Sequence, residues 1–185
     1  MLRKIALGAV VLGVVGMLSL TGCSKSEKKE TASRPTDVPA VANNMPALDS
    51  QVITDLKTRL EAKPNDAETL QRLADAYFDA KRFDEAATYY KKALEHKPGD
   101  ADILNDLGLS LHYLGNSAGG LNYIEEGIKK NPYHQRIWLT KGFILAYGMG
   151  DLNGARAAWE KANALNPESQ VGKAASEFLA QFNKK

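Results

Sequence analysis

Shortages narrow this chain before any motif does. Its 185 residues include one cysteine, Cys23. No intramolecular disulfide can form, so any fold rests on an apolar core alone, and no pair of thiols is available for metal binding. Histidine is almost as scarce. His96, His112 and His134 stand 16 and 22 residues apart, never at the helical spacing that puts two ligands on one face. A Gly-rich phosphate loop, a Gly-x-Ser-x-Gly elbow and a His-Glu-x-x-His helix are all missing. Glu125 and Glu126 are adjacent, so on a helix they point in different directions and cannot act as a close carboxylate pair. These absences predict a protein that is not an enzyme and needs no cofactor, metal or small-molecule substrate. A charge surplus is lacking too. There are 24 Lys plus Arg against 22 Asp plus Glu. Removing residues 1–22 would take Arg3, Lys4 and no acid, leaving the rest balanced. A balanced chain has neither the basic footprint of a nucleic-acid binder nor the polybasic patch of a charge-held membrane protein.

What is present is a ladder. Pro64, Pro98 and Pro132 recur every 34 residues, and Pro167 follows one residue late. Side chains repeat in register between the prolines. The first unit reads Leu70, Leu73, Ala74, Tyr77, then Ala86, Tyr90 and Ala93. The second reads Leu104, Leu107, Gly108, Leu111, then Gly120, Ile124 and Gly127. The third reads Trp138, Lys141, Gly142, Leu145, then Ala155, Trp159 and Ala162. A period of this length marks stacked units, none of which buries its apolar face alone. The small slots suit helices in close approach, the bulky ones fill the space between pairs, and each proline stops a second helix.

These slots resemble the tetratricopeptide repeat family from about residue 65 to 167. The resemblance implies an all-α fold, a right-handed α-solenoid of three helix–turn–helix pairs over 65–98, 99–132 and 133–167. Three departures are notable. Lys141 takes a slot that is usually apolar, and its stem is expected along the surface. One extra residue falls within Tyr147-Gly148-Met149-Gly150. Gly119, Gly120 and Gly127 share one helix, which is expected to be the least stable, each interior glycine costing about 1 kcal/mol against alanine.

The ends differ from the array. Residues 1–22 read as a leader: Arg3 and Lys4, an apolar run from Ile5 to Leu18 too short for a comfortable span, then small residues. Leu20-Thr21-Gly22-Cys23 resembles the lipobox of bacterial lipoproteins, which implies acylation of Cys23 and a membrane anchor. An ordinary secretory leader is the alternative. Ser24, where an aspartate would resemble the inner-membrane retention signal, favours the periplasmic face of the outer membrane. Residues 23–46 hold almost no large apolar groups and read as a flexible, lipidated tether to a repeat domain over 47–185. Val52, Ile53, Leu56 and Leu60 give a helix over 50–62 that looks like half a repeat. Val171, Ala174, Ala175, Phe178, Leu179 and Phe182 give a capping helix over 168–182.

In the family the first helix of each pair lines a concave groove. The candidate partner-binding residues are Asp75, Phe78, Asp79, Asp102, Asn105, Asp106, Leu109, His112, Tyr113, Arg136, Leu139, Phe143 and Tyr147. One end is acidic and the other aromatic. The acids could equally be a solvated face, and the aromatics could be core, with Phe143 and Tyr147 covered by the last helix. Some relatives clamp a partner's C-terminal carboxylate at positions that here hold Gln71, Asp75, Asp106, Arg136 and Thr140. Only Arg136 keeps the chemistry, so no such clamp is expected. The expectation is a lipid-anchored adaptor that binds a peptide or helix segment of another envelope protein. It resembles assembly factors such as pilotins of pilus secretins or accessory proteins of c-type cytochrome maturation. A self-associating or cell-wall-contacting spacer is the rival.

Overall fold

The 34-residue period predicts paired helices separated by short turns, and the chain folds that way. The computed structural model describes residues 45–182. The leader, Cys23 and most of the tether read from the sequence lie outside the described residues. Among the described residues eight α-helices follow one another: α1 (Met45–Ala62), α2 (Ala67–Asp79), α3 (Phe83–His96), α4 (Ala101–Tyr113), α5 (Ser117–Lys130), α6 (Gln135–Ile144), α7 (Leu152–Leu165) and α8 (Gln170–Phe182). They build an α-solenoid in which α2–α3, α4–α5 and α6–α7 are the pairs, α1 a leading half-repeat and α8 a cap. No strand occurs among the described residues.

The helix starts are set by a ladder of caps. Asp66 accepts the Thr69 amide at 3.0 Å, and Asp100 those of Asp102 and Ile103 at 3.0 and 3.2 Å. His134, again 34 residues on, accepts the Ile137 amide through Nδ1 at 3.3 Å. Each satisfies an amide that the first turn leaves without an intrahelical partner. The turns inside the pairs need one left-handed residue. Gly115 and Gly150 supply it at no steric cost, whereas Lys81 adopts φ 58° as a lysine.

The core follows the slots, with a shift in the third pair. Leu73, Tyr77, Tyr90, Ile103, Leu107, Ile124 and Trp159 are all fully buried. Burying a side chain of this size contributes about 1.5–3 kcal/mol. In α6 the buried positions are Ile137, Thr140, Gly142 and Ile144; the slots Trp138 and Leu145 are half-buried, and Lys141 lies partly at the surface as expected. A lysine cannot give up hydration for an apolar slot. Lys141 stays half-buried, its ammonium 3.4 Å from Glu125 and above the Trp138 ring. Trp138 is half-exposed and donates its indole N–H to the Pro132 carbonyl at 2.9 Å. The extra residue of this pair is absorbed in a π-helical turn, Leu145–Met149, closed by Gly150 at φ 69°.

The glycines of α5 have a packing reason. A Cβ on Gly120 would collide with the Gly108 carbonyl, and one on Gly108 would lie 2.8 Å from Ile124 Cγ1. The residues that lower the intrinsic helicity of α5 are therefore those that let α4 reach it, and α5 is held by packing rather than propensity. At the ends, α1 starts at Met45, ahead of the expected residue 50, with Pro46 in its first turn, where a missing N–H costs nothing. Ile53 and Leu56 face α2 while Val52 points outward, 41% exposed. In α8, Ala175 is buried and Phe178, Leu179 and Phe182 pack on the Trp159 cluster.

Candidate functional site

First helices stacked at a 34-residue period bring equivalent slots of neighbouring pairs together. Arg136 is the case in point. Its guanidinium Nη2 donates to Asp102 Oδ1 at 2.8 Å, the same slot one repeat earlier, and to Asp106 Oδ2 at 3.0 Å. His134, whose Nδ1 accepts at the helix cap, can donate from Nε2 to Asp102 Oδ1 at 3.1 Å. These groups border a groove of about 460 Å³ walled by α2, α4 and α6 with Tyr90 of α3. Of the predicted residues, Asp75, Phe78, Asp79, Asp102, Asn105, Asp106, Leu109 and Arg136 converge on it, joined by Gln71 and Thr140.

Burial dominates the groove's electrostatics. It pushes the Asp75 carboxyl above its ordinary range, opposed by the Tyr90 hydroxyl, which donates to Asp75 Oδ1 at 2.7 Å. It likewise pushes Asp106 up, against the pull of Arg136. Burial also acts to raise Asp102, but Arg136 and His134 outweigh it and hold this carboxyl below the ordinary range. Arg136 loses some proton affinity to burial and gains more from Asp106 and Asp102, ending above its usual value. The Tyr90 hydroxyl is held far above the ordinary tyrosine range by burial first, then by the Asp106 charge and its bond to Asp75. Asn105 is 1% exposed; its amide donates to Asp106 Oδ1 at 2.9 Å and its own Oδ1 has no partner.

His112, Tyr113, Phe143 and Tyr147 fall outside this floor and form a rim of rings. Phe83 stacks on Tyr113 with centroids 4.6 Å apart, and Phe78 lies 5.3 Å from Phe83. His112 meets Phe143 edge-on at 5.4 Å, and Phe143 lies 4.9 Å from Tyr147. The last helix closes the row: Phe143 reaches Phe178, Tyr147 reaches Phe182, and both phenylalanines lie against Trp159. Both sequence alternatives hold in part, because Phe143 is half-buried while Tyr113 and Tyr147 are 46% and 51% exposed. The His112 imidazole is bonded to Ser117 at 2.9 Å, and burial lowers its proton affinity. Leu139 turns away from the groove and packs on the Trp159 cluster, giving its carbonyl to the Trp159 indole N–H at 3.2 Å.

Two site residues escaped the sequence reading. Tyr90 fills a core slot, and its hydroxyl, where only an apolar ring is needed, is the sequence's signal of a polar partner. Phe83 begins α3, and no periodic pattern marks it, since the equivalent position of the next pair is Ser117. No group of three or more His, Cys, Asp and Glu among the described residues is arranged to hold a metal ion. No helix among them is long and apolar enough to cross a membrane.

Comparison with known proteins agrees with this architecture. The tetratricopeptide repeat family model matches residues 67–100, the first pair and the turn after it. Protein FlbA of Caulobacter vibrioides is 29% identical over 119 residues, 64% of this chain, and the chain spans only 19% of that relative's length. Among solved structures, MamA shares the fold with a TM-score of 0.62 at 19% identity, over 75% of this chain and 89% of its own. The first repeat domain of Spaghetti (RPAP3), bound to the HSP90 peptide SRMEEVD, gives 0.58 at 18% identity, covering 64% and 90%. The Sgt2 repeat domain from Aspergillus fumigatus gives 0.57 at 21%, covering 64% and 79%.

Proposed function

We propose that this protein is a lipid-anchored, non-catalytic adaptor of the bacterial envelope that takes a segment of a partner protein along the concave groove. The observation that carries the reading is the half-exposed pair Tyr113 and Tyr147, at the rim of a groove deep enough to seat side chains. A row of rings left partly in water beside a concavity is the usual surface of a protein interface. Similar folds offer precedent, RPAP3 having been solved with a bound peptide. The partner here differs from that acidic peptide, because Arg136, the one cation lining the groove, is already paired with two aspartates. Anchoring rests on the Leu20-Thr21-Gly22-Cys23 string.

Crosslinking in intact cells tests the groove. A covalent adduct to one partner protein is expected from the wild-type chain and is expected to be lost in Tyr113→Ala with Tyr147→Ala, a variant whose helical signal is retained. An unchanged adduct in that variant, or only concentration-dependent self-association, would contradict the adaptor. Anchoring has its own test: Cys23→Ser is expected to leave the membrane pellet as a folded protein, because acyl chains hold the membrane and not the repeat core. Processed Cys23→Ser protein that stays in the pellet would remove the lipid from the account.

A further inference from the structure

At the floor of the groove one acceptor is left over. Asn105 is buried and its amide nitrogen is committed to Asp106, which leaves Oδ1 without a donor. The amide cannot simply be turned over. Reversal would set its oxygen against the Asp106 carboxylate and strand the NH₂ group instead. Folding accounts for the NH₂ half of this side chain, which serves the buried Asp106 carboxylate, and leaves the oxygen unexplained.

The surroundings specify what would satisfy it. Asp75, Asp79, Asp102 and Asp106 line the groove against one cation, Arg136, whose two hydrogen bonds go to Asp102 and Asp106. Asp75 has one oxygen on Tyr90, and Asp79 stands exposed at the opening. The acceptors not engaged by Arg136 include the carboxylates of Asp75 and Asp79 and the amide oxygen of Asn105. They lie beside the apolar surfaces of Phe78 and Leu109. A metal ion does not match this set, since no suitable cluster of ligands exists among the described residues.

We propose that the groove floor receives a cationic side chain of the partner segment, arginine in preference to lysine, with N–H groups directed to Asn105 Oδ1 and to the carboxylates of Asp75 and Asp79. The preference follows from donor geometry. A guanidinium presents its donors in a fixed planar fork that can serve separate acceptors, whereas an ammonium is a compact point charge. The stem of such a side chain suits the apolar wall. This inference rests on the groove being the partner site.

The test needs no partner. The isotopically labelled full chain is titrated with acetyl-arginine amide, its neutral citrulline analogue, acetyl-lysine amide and acetyl-glutamate amide, and the groove resonances are followed. Saturable shifts are expected with the arginine probe, with citrulline at least about tenfold weaker and lysine between them. Asn105→Leu is expected to weaken the arginine probe several-fold, at some cost to the thermal midpoint because the buried Asp106 carboxylate loses a hydrogen bond. Asp75→Asn provides a second variant should the leucine disturb packing, and it is expected to weaken arginine and leave citrulline unchanged. Equal affinity for arginine and citrulline, no saturation by either, preference for glutamate, or indifference to both substitutions would overturn the proposal. Each of those results leaves the adaptor reading standing, because that reading depends on partner capture at Tyr113 and Tyr147.

Discussion

The floor and the rim of the same groove are built on opposite terms. On the floor, Asp102, Asp106 and Arg136 bind one another across repeats, and Tyr90 is tied to Asp75, so charge is largely spent inside the protein. On the rim the rings pack on one another, yet Tyr113 and Tyr147 keep about half their surface in water. Exposed apolar area contributes about 25 cal/mol per Å² when a partner covers it, whereas a paired charge must first lose its present partner. On the proposed reading, the rim supplies affinity and the floor selectivity.

The rim breaks most completely at its far end. Trp159 is fully buried, and Phe178 stacks on it with centroids 4.9 Å apart. Trp159→Ala is expected to cost about 3–5 kcal/mol. Denaturant unfolding should show the loss, with α8 released as the surface it covers disappears. At the exposed part of the rim, Tyr113→Ala with Tyr147→Ala is expected to weaken partner binding by about tenfold or more with only a small change in stability. Asp75→Asn with Asp79→Asn is expected to act less on affinity at physiological salt and more on the association rate at low salt. Measuring both double variants across ionic strength separates the two ends.

Proton linkage sharpens the floor. The Asp106 carboxyl is held above its ordinary range by burial, so its folded value exceeds its unfolded one. Its stability contribution is then fully present below the unfolded value of about 4 and is lost as pH rises through the folded value. Asp106→Asn removes that loss. Relative to wild type the variant is expected to gain stability between pH 4 and pH 7, read from paired thermal melts at the two pH values. The smallest effect lies outside the groove: Lys81→Gly, relieving a lysine held at φ 58°, is expected to add about 0.5–1 kcal/mol.

How far the groove could be read in advance depended on whether period or chemistry determined the position. The proline ladder placed the pairs, and its 34-residue spacing would have set Asp102 beside Arg136, since equal slots of adjacent repeats touch. The same spacing would have found the caps Asp66, Asp100 and His134. The slots do not exhaust the core: Ile137 and Ile144 of α6 are buried outside them, as are the equivalent Ile103 and Ser110 of α4, while Trp138 is half-exposed. Contacts made by positions that do not repeat, such as Phe83 on Tyr113, left no periodic trace.

The central claim is that a partner lies along the concave rim and floor, and site-specific photocrosslinking in living cells addresses it directly. A benzophenone side chain is placed at Tyr113 or Tyr147 on the rim, and at Lys91 or Glu126 in the cleft between α3 and α5. The account predicts one partner adduct from both rim positions and none from the cleft. Adducts from the cleft alone would contradict it.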